Sequence, residues 1–439
     1  MTSLGKLQDW IERKVPDPLS FAIGLTLLMA ALALSFTPTK PGTLLLNWGD
    51  SLSALLAFTM QMALIITAAY SLAHTITVQQ ALIRLARIAT TPTQAYVLVI
   101  LTGAFFSLLS WPLGPITAGL LAREIARESH TRQLNIHYPL LVAGGFGGFV
   151  VWEMGYSSSI GLAVATSGNP TEEVIGRLIP IQETLLTTWN LFSILTTLSV
   201  IILVILLIHR RLRLSAPYIP DDLITPLTKK QDISVPSVEG RRSLSLLAGA
   251  LVLAYVVSWF FEHGVSLELN IVNWTFIGLG LVLARSLPDY SEKFAHGAQI
   301  AAPTLLQYPL YAGIMGMAMQ SGLAQQFTVF LAEIASNFSL PIVAFLSAGL
   351  INIFIPSGGA QWALQGPSFI EAAKLLEVDL GVITMSVAYG DQWTNLIQPF
   401  TAIPILAMTG LRLRHIYGYC LLLCAATAIP LILGLIIAN

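Results

Sequence analysis

The sequence predicts an all-α integral membrane protein with an internal inverted repeat, in which each repeat carries one re-entrant hairpin and one unwound helix. Three observations support this fold class. The 439 residues are 55% hydrophobic and only 10% charged. Seven apolar segments approach the roughly 20 residues that a helix needs to cross a bilayer. The same order of helix interruptions also occurs twice along the chain.

The composition excludes an ordinary water-soluble domain, in which about a quarter of the residues are charged. The mean hydropathy is +0.74, and so few charges could not cover the surface of a soluble fold of this size. Lys and Arg number 22 against 23 Asp and Glu, which gives a net charge of -1. This balance provides no basic surface for nucleic acid. Because the chain has so few charged residues, we expect it to lie in the lipid bilayer.

The apolar segments divide the chain into two membrane halves. We expect a cytoplasmic or interfacial helix at 1–18, a first half at 19–208, a cytoplasmic linker at 209–242 and a second half at 243–439. The linker is rich in Lys, Arg and Pro, which favours an exposed polar segment. The clearest candidate spans are 19–36, 52–74, 184–208, 243–261, 269–285, 303–321 and 415–437.

Lys and Arg in the loops predict the orientation, because these residues concentrate on the cytoplasmic side. Basic residues precede the first span, so we expect a multi-pass protein of a bacterial inner membrane with a cytoplasmic N-terminus. The loop at 75–93 carries two Arg and is assigned to the inside. The loops at 37–51 and 322–340 carry one Lys and no basic residue, respectively, and are assigned to the outside.

The two halves contain the same interruptions, displaced by about 240 residues. Each has a hairpin, at about 94–126 and about 341–376, and then a broken helix, at about 138–166 and about 381–410. An alternative is that the interruptions are proline kinks in full spans. The turns and breaks are expected near Pro112–Pro115, Tyr156–Ser159, Pro356–Gly359 and Asp391–Asn395.

The basic loop at 75–93 corresponds to the loop at 322–340, which has no Lys or Arg, so the two copies should lie in opposite directions. Inverted repeats of this kind are typical of secondary transporters. Broken backbone in hydrocarbon leaves polar groups unpaired at several kcal/mol each, unless it lines a cavity or binds a ligand. Because the N-terminal ends of half-helices attract carboxylates, we expect a carrier of small organic anions.

Polar side chains and glycines at the four interruptions are the candidate substrate-binding residues. At the second hairpin, glycine lets the backbone approach a ligand closely, while the first hairpin tip is poorer in polar groups and suits an apolar wall. Serines in membrane helices can instead hold neighbouring helices together. The candidates are Ser357, Gly358, Gly359, Gln361, Gln365, Trp111, Thr117, Ser157, Ser158, Ser159, Gln392, Thr394, Asn395 and Gln398.

Two acids, Glu153 and Asp391, lie at membrane depth and at nearly equivalent places in the two halves. An ionised acid there costs roughly 2.5–3.5 kcal/mol on insertion scales, so it usually has a partner or a task. We expect the two acids and Asn395 to bind the coupling cation, with a Na⁺ site near Asp391, Thr394 and Asn395. The alternative is that a Lys or Arg pairs with the buried acid.

Two motifs are specific, I-P-S-G-G-A-Q-W-A-L-Q-G-P at 355–367 and A-Y-G-D-Q-W-T-N-L-I-Q-P-F at 388–400. The segments V-P-D-P-L-S-F-A at 15–22 and A-T-S-G-N-P at 165–170 support them. From about residue 12 to the C-terminus, the chain resembles the bacterial short-chain fatty acid (acetoacetate/butyrate) uptake transporter family.

The resemblance implies uptake of small monocarboxylates and kinship with the wider ion transporter superfamily. Members of that superfamily are typically homodimers that move a transport domain against a scaffold, in an elevator-like manner. The resemblance also implies that Pro356–Pro367 and Gly390–Gln398 line the site. The chain departs from the family pattern at Trp152–Met154, where glycines are more common, and at Asp391, where glutamate is common. The coupling ion, Na⁺ or H⁺, stays open.

Other functions fit the pattern less well. A di- or tricarboxylate carrier would call for more cationic groups, and neither break contains Lys or Arg. An anion channel needs a continuous pore, whereas paired inverted hairpins suit alternating access. The motifs H-E-x-x-H, G-x-S-x-G and G-x-x-x-x-G-K-[ST] do not occur, so we expect neither an enzyme nor an ATP-driven pump, and no cofactor.

Overall fold

The computed structural model describes residues 14, 16–169, 171–212, 242–264 and 268–439. These ranges contain helices and no strand, which confirms the all-α class. Six of the described helices are long and apolar enough to cross a membrane. Most of the predicted N-terminal helix at 1–18 and of the predicted linker at 209–242 lies outside the described residues.

The first half of the described chain begins with α1 and ends with α10, and two short 3₁₀ helices interrupt the series. Its helices are α1 Pro18–Phe36, α2 Pro41–Ser51, α3 Leu56–Ala73, α4 Ile76–Ala86, α5 Pro92–Leu109, α6 Leu113–Thr131, α7 Tyr138–Gly148, the 3₁₀ helix Phe149–Met154, α8 Ser159–Ala163, α9 Glu172–Ile175, the 3₁₀ helix Ile181–Glu183 and α10 Thr188–Leu212.

The second half has a similar order of elements, with one 3₁₀ helix near its end. Its helices in the described chain are α11 Arg242–His263, α12 Leu269–Leu283, α13 Leu287–Gln320, α14 Leu323–Ile334, α15 Leu340–Asn352, α16 Gly358–Leu375, α17 Leu380–Thr394, the 3₁₀ helix Asn395–Ile397, α18 Pro399–Thr409 and α19 Leu413–Ala438.

Three segments expected as loops contain helices instead: α2 lies within 37–51, α4 within 75–93 and α14 within 322–340. The sequence argument missed them because each has only 11 or 12 residues, well below the length of a span. The expected span at 303–321 is likewise the second part of the longer α13, which has 34 residues.

The helix interruptions recur in the same order in both halves. In each half a helix pair comes first, α5 with α6 and α15 with α16, and the two helices of each pair are separated by a short non-helical tip. A broken helix follows, in which α7 or α17 passes into a 3₁₀ turn before the chain leaves the helix. The opposite membrane orientation of the two copies stays a prediction.

The second broken helix leaves the α-helical conformation at the end of the expected range. The sequence argument put the break near Asp391–Asn395, and α17 ends at Thr394, where the 3₁₀ helix Asn395–Ile397 begins. The chain leaves the helical conformation at Gln398, where ψ is 116°. The next residue is Pro399, and proline disfavours the helical conformation in the residue before it while suiting the first turn of the next helix.

Two clusters of buried side chains form the interior. The larger one joins α5, α6 and α7 to α15, α17 and α19, and the smaller one joins α1, α3 and α13. Small residues permit close packing in the larger cluster. A Cβ at Gly148 of α7 would lie 2.8 Å from the backbone nitrogen of Ala104 on α5, so a larger residue would push these helices apart.

Candidate functional site

A cavity of about 200 Å³ lies where both non-helical tips meet both broken helices. This volume is below the range of about 300–1,000 Å³ that is usual for drug-sized ligands, so the cavity suits a small molecule. Its lining residues are Leu55, Phe58, Trp111, Phe149, Trp152, Ser159, Pro356, Ser357, Gly358, Gly359, Asp391, Asn395, Phe400 and Thr401.

One side of the cavity is aromatic. The rings of Phe149 and Trp152 are stacked with centroids 6.1 Å apart, and the Trp111 ring lies 6.2 Å from that of Trp152. Phe58 of α3 stacks on Phe400 of α18 at 6.1 Å. Such rings form an apolar wall.

The N-terminus of α16 contributes a polar part of the cavity lining. Ser357 is the N-cap residue, but its side chain does not accept a hydrogen bond from the helix. The first intrahelical bond runs from the N–H of Gln361 to the carbonyl of Ser357, over 2.8 Å. The N–H groups of the first turn, which begins at Gly358, therefore lie at the cavity without an intrahelical partner. A helix end of this kind favours an anion.

Gly358 is the point at which the two buried acids and the α16 tip converge. A Cβ at this position would lie 2.7 Å from Oε1 of Glu153 and 3.4 Å from Oδ2 of Asp391, and would overlap Oγ of Ser159. Both carboxylates therefore lie within 3.4 Å of one point beside the helix N-terminus. Only glycine leaves room for this arrangement.

Glu153 is fully buried and its carboxylate is well supplied with donors. Ser158 donates its hydroxyl over 2.6 Å, Ser159 donates a short hydrogen bond, and the N–H of Ile160 donates over 3.2 Å. Two of the three candidate serines at the first break therefore bond to this acid. Three donors can stabilise a negative charge on Glu153 inside the protein.

Asp391 has the opposite environment. It is 1% exposed, and neither of its carboxylate oxygens has a hydrogen-bond partner in the described chain. The ion pairs of the described residues also join no Lys or Arg to Asp391 or to Glu153. A buried ion pair, the alternative for these acids, thus finds no support in the described part of the chain.

Asn352 connects the second tip to the second break, although the sequence argument did not select it. Its side-chain amide donates to the backbone carbonyl of Asp391 over 2.8 Å, and to Oγ1 of Thr394 and Oδ1 of Asn395 over 2.9 Å each. Two residues expected near a Na⁺ ion, Thr394 and Asn395, thus accept from an amide donor, whereas the carboxylate oxygens of Asp391 do not. A lone amide in an apolar run, just before a proline-glycine tip, is the signal that could have identified it.

Gln392 and Gln398 lie beside the site, and their side chains bond to backbone groups near it. The side-chain oxygen of Gln392 accepts the backbone N–H of Glu153 over 2.9 Å. The amide of Gln398 donates to the carbonyl of Ile353 over 2.7 Å. Neither residue lines the cavity, so each links one interruption to another.

Four further candidates lie away from the cavity. Gln361 donates to the Ala348 carbonyl over 2.8 Å and to Gln365 over 3.0 Å. Gln365 in turn donates to Ser347 over 2.8 Å, so these two amides join the helices of the second pair. Thr117 donates to a carbonyl of its own helix. Ser157 lines a separate cavity beside the first tip.

The sequence argument missed most of the aromatic wall. Phe58, Phe149 and Phe400 line the cavity together with Thr401. Phenylalanine is common in membrane helices, and nothing in the local sequence distinguishes a ring that faces a cavity from a ring that faces lipid. Phe400 follows Pro399 directly after the second break, and this position is the one feature of the sequence that could have identified a wall residue.

The family model described as "Short chain fatty acid transporter" matches residues 3–438. A protein of Escherichia coli (strain K12), provisionally named a short-chain fatty acid transporter, is 38% identical over 439 residues, 97% of each chain. A protein of Haemophilus influenzae (strain ATCC 51907 / DSM 11121 / KW20 / Rd) with the same name is 34% identical over 443 residues, 98% of each chain.

Among solved structures, the crystal structure of the Alcanivorax borkumensis YdaH transporter covers 96% of this chain and 97% of its own. The sequence identity is 16% and the TM-score is 0.47, which is too distant a likeness to support conclusions about the site. The family model and the two relatives, by contrast, each extend over nearly the whole sequence. The chain therefore belongs to the short-chain fatty acid transporter family.

Proposed function

We propose that the protein is a secondary active transporter that carries short-chain fatty acids and related small monocarboxylates across the bacterial inner membrane, coupled to Na⁺ or H⁺. The observation that carries this proposal is the mixed lining of the cavity. The open N-terminus of α16 and the aromatic wall line the same space of about 200 Å³. A substrate with a carboxylate at one end and a short apolar chain at the other matches both kinds of lining.

The small volume also supports a small substrate. Water occupies about 30 Å³ per molecule in the liquid, so about 200 Å³ has room for roughly seven groups of that size. A di- or tricarboxylate would bring at least one more negative charge. No Lys or Arg is among the described residues that line the cavity, and a second carboxylate there would be buried without a cation.

The test is uptake by purified protein in liposomes, with radiolabelled butyrate, acetoacetate and succinate and with imposed Na⁺ or H⁺ gradients. Protein-free liposomes measure the passive entry of the undissociated acids, and this background is subtracted. We expect saturable uptake of butyrate and acetoacetate, no uptake of succinate, and accumulation driven by one of the two gradients.

Counterflow separates a carrier from an anion channel. Liposomes loaded with unlabelled butyrate should take up labelled butyrate faster than unloaded liposomes, because a carrier exchanges substrate across the membrane. Equal rates in loaded and unloaded liposomes, with flux that does not saturate, would favour the channel. Saturable succinate uptake would favour the dicarboxylate carrier instead.

A further inference from the structure

A second cavity, of about 540 Å³, lies between the start of α1, the middle of α13, the end of α18 and the start of α19. It is more than twice as large as the cavity at the α16 tip. We call it the inner cavity, because the basic residues before α1 and after α18 predict a cytoplasmic position for this end of the protein. The lining residues used below are Asp17, Gln307, Ile403, Leu406, Arg412 and Arg414.

The inner cavity is the neighbour of the tip cavity along two helices. On α18, Phe400 lines the tip cavity, whereas Ile403, one turn later, lines the inner cavity. On α13, Gln307 lines the inner cavity, and the next residue, Tyr308, stacks on Phe400 with ring centroids 4.1 Å apart. This ring contact therefore lies at the border between the two cavities.

The inner cavity has a positively charged mouth. Arg412 is exposed and Arg414 is half-buried, and neither forms an ion pair within the described chain. Asp17 is the one acid among the described lining residues, and its carboxylate already accepts hydrogen bonds from the N–H groups of Leu19 and Ser20. Two arginines against one aspartate leave a net positive charge, which attracts an anion from solution.

A buried amide makes the interior of the inner cavity polar. Gln307 is 9% exposed and lines the cavity, and its side-chain oxygen has no hydrogen-bond partner in the described chain. Thr304 and Tyr311 lie on the same face of α13, and their hydroxyls are likewise buried without a partner in that part of the chain. The Tyr311 ring meets Phe400 edge-on at 5.2 Å. Because unpartnered buried polar groups are costly, this stripe indicates a path for a polar ligand towards the ring contact.

An anionic phospholipid is the other ligand that two arginines at this position could bind, since basic pockets between membrane helices accept such head groups. Its acyl chains would fill the interior with hydrocarbon and leave the amide of Gln307 without a hydrogen-bond partner. A small carboxylate instead offers oxygens to the arginine N–H groups at the mouth and to the amide N–H groups further in. The polar interior therefore favours the small anion.

Resting on the proposed function and on the predicted orientation, we propose that the inner cavity is a second binding site for the carboxylate substrate, on the cytoplasmic side. Arg412 and Arg414 bind the anion at the mouth, and the amide of Gln307 donates to it further in. The contact of Tyr308 with Phe400 separates this site from the tip cavity. Because exposed charges contribute little to a bound pair, binding there is weak and serves the capture and release of substrate.

The test is the concentration dependence of butyrate uptake in everted vesicles, whose cytoplasmic face meets the medium, and in right-side-out vesicles. Vesicles without the protein measure the passive entry of butyric acid, which is subtracted. In the double variant Arg412→Gln/Arg414→Gln we expect the KM in everted vesicles to rise roughly tenfold, the lower end of the effect of a charged cleft on local substrate concentration. The KM in right-side-out vesicles should change little.

Arg210→Gln/Arg211→Gln is the matched control for charge. It neutralises two exposed arginines at the end of α10, which also belong to the predicted cytoplasmic side but do not line the inner cavity. This variant should keep the wild-type KM in both orientations. Higher ionic strength should raise the wild-type KM in everted vesicles and leave that of Arg412→Gln/Arg414→Gln unchanged, because salt screens the two charges.

Gln307→Leu tests the interior of the site. The Tm should not fall, since the side-chain oxygen that is removed has no partner in the described chain. Maximal uptake in everted vesicles should nevertheless slow roughly two- to tenfold, the equivalent of one hydrogen bond to the passing carboxylate.

A wild-type KM of Arg412→Gln/Arg414→Gln in everted vesicles would overturn the inference while leaving butyrate transport, and hence the proposed function, intact. A KM that rises equally in both orientations would also overturn it, because the loss of a phospholipid contact or a change of fold does not distinguish the two faces. An absence of saturable uptake by the wild type in either orientation would instead contradict the proposed function itself, and the inference with it.

Discussion

The backbone N–H of Glu153 donates to the side-chain oxygen of Gln392 over 2.9 Å. These residues are 239 positions apart, and each belongs to a broken helix of a different half. The bond joins the two broken helices directly beside the two buried acids. Both halves therefore share one hydrogen-bonded centre, and its members can be tested one at a time.

Gln392→Leu removes the acceptor and leaves the buried N–H of Glu153 unpaired. The loss of a partner for a buried donor costs about 1–3 kcal/mol, so we expect a lower Tm in detergent. Gln326→Leu is the matched control, because Gln326 on α14 is exposed and its replacement should leave the Tm unchanged. Equal Tm values for wild type and Gln392→Leu would contradict a stabilising role for this bond.

Gly358→Ala should abolish butyrate binding. The added Cβ would meet Ser159 and lie 2.7 Å from Oε1 of Glu153, so the acid must move and the tip must withdraw. Calorimetric titration with butyrate measures the effect. Wild-type affinity in Gly358→Ala would show that the tip and the two acids are not one site.

Gly359→Val should shift the preference towards shorter acids. A Cβ at Gly359 meets no atom within 4 Å, so the fold tolerates a larger residue, but the side chain projects into free space at the cavity. Because one methylene in an apolar pocket changes specificity about 10- to 200-fold, we expect butyrate to lose at least about tenfold in affinity relative to acetate. Gly359→Ala should lie between, and an unchanged butyrate-to-acetate ratio in both variants would place the acyl chain elsewhere.

Asn352→Ala should destabilise the protein and weaken substrate binding together. It removes the donor that the Asp391 carbonyl, Thr394 and Asn395 share, and each neutral hydrogen bond contributes about 0.5–1.5 kcal/mol. Tm measurements with and without butyrate would report both effects. Asn337→Ala, on an exposed connection, serves as the control, and a wild-type response to butyrate in Asn352→Ala would argue against its role at the break.

Asp17 caps the N-terminus of α1 outside the span and should make a pH-dependent contribution to stability. The Ser20 hydroxyl, followed by the N–H groups of Ser20 and Leu19, holds the pKa of Asp17 below its ordinary value. Because the pKa is lower in the folded state, the contribution is present above the unfolded pKa and is lost as the pH falls through the folded one. Asp17→Ala should lower the Tm at pH 7 and have less effect as the solution becomes more acidic.

Asp17→Asn is the control for that experiment, since asparagine also caps helices but does not titrate. The Tm of Asp17→Asn should lie between those of wild type and Asp17→Ala at pH 7, and its difference from Asp17→Ala should not depend on pH. A Tm difference between wild type and Asp17→Ala that is the same at pH 7 and pH 3 would contradict a contribution from the ionised carboxylate.

The sequence predicted those parts of the fold and site that depend on local composition. Apolar length identified α1, α3 and α19, and the cluster Ser357–Gly359 identified the tip that faces the cavity. Short helices such as α4 were missed because their length lies below that of a span. The polar residues from Asp391 onward indicated the break after α17, which ends at Thr394, and Pro399 opens the next helix after the 3₁₀ turn.

Side-chain direction could not be predicted at this level. Gln361 and Gln365 lie one turn apart on α16. This spacing fits an amide that faces a ligand as well as an amide that bonds to the neighbouring helix. In the structure, both side chains bond to α15 residues or to each other. Phe58 is far from the breaks in sequence and joins them only through tertiary packing. Position along the chain therefore predicted the tips and the acids but not the aromatic wall.

The ring contacts of that wall bear on how the cavity could reach water. Hydrogen bonds donated by Asn352 and Gln398, and one accepted by Gln392, connect the second tip and both breaks to each other. In the described chain, α3 and α13 instead contact Phe400 through stacked rings, with the Tyr308 ring centroid 4.1 Å from that of Phe400. Flat rings slide past one another with little loss of contact, unlike directional bonds. We therefore expect the hydrogen-bonded core to move as one rigid body, together with its bound substrate, along the ring contacts of Phe58 and Tyr308.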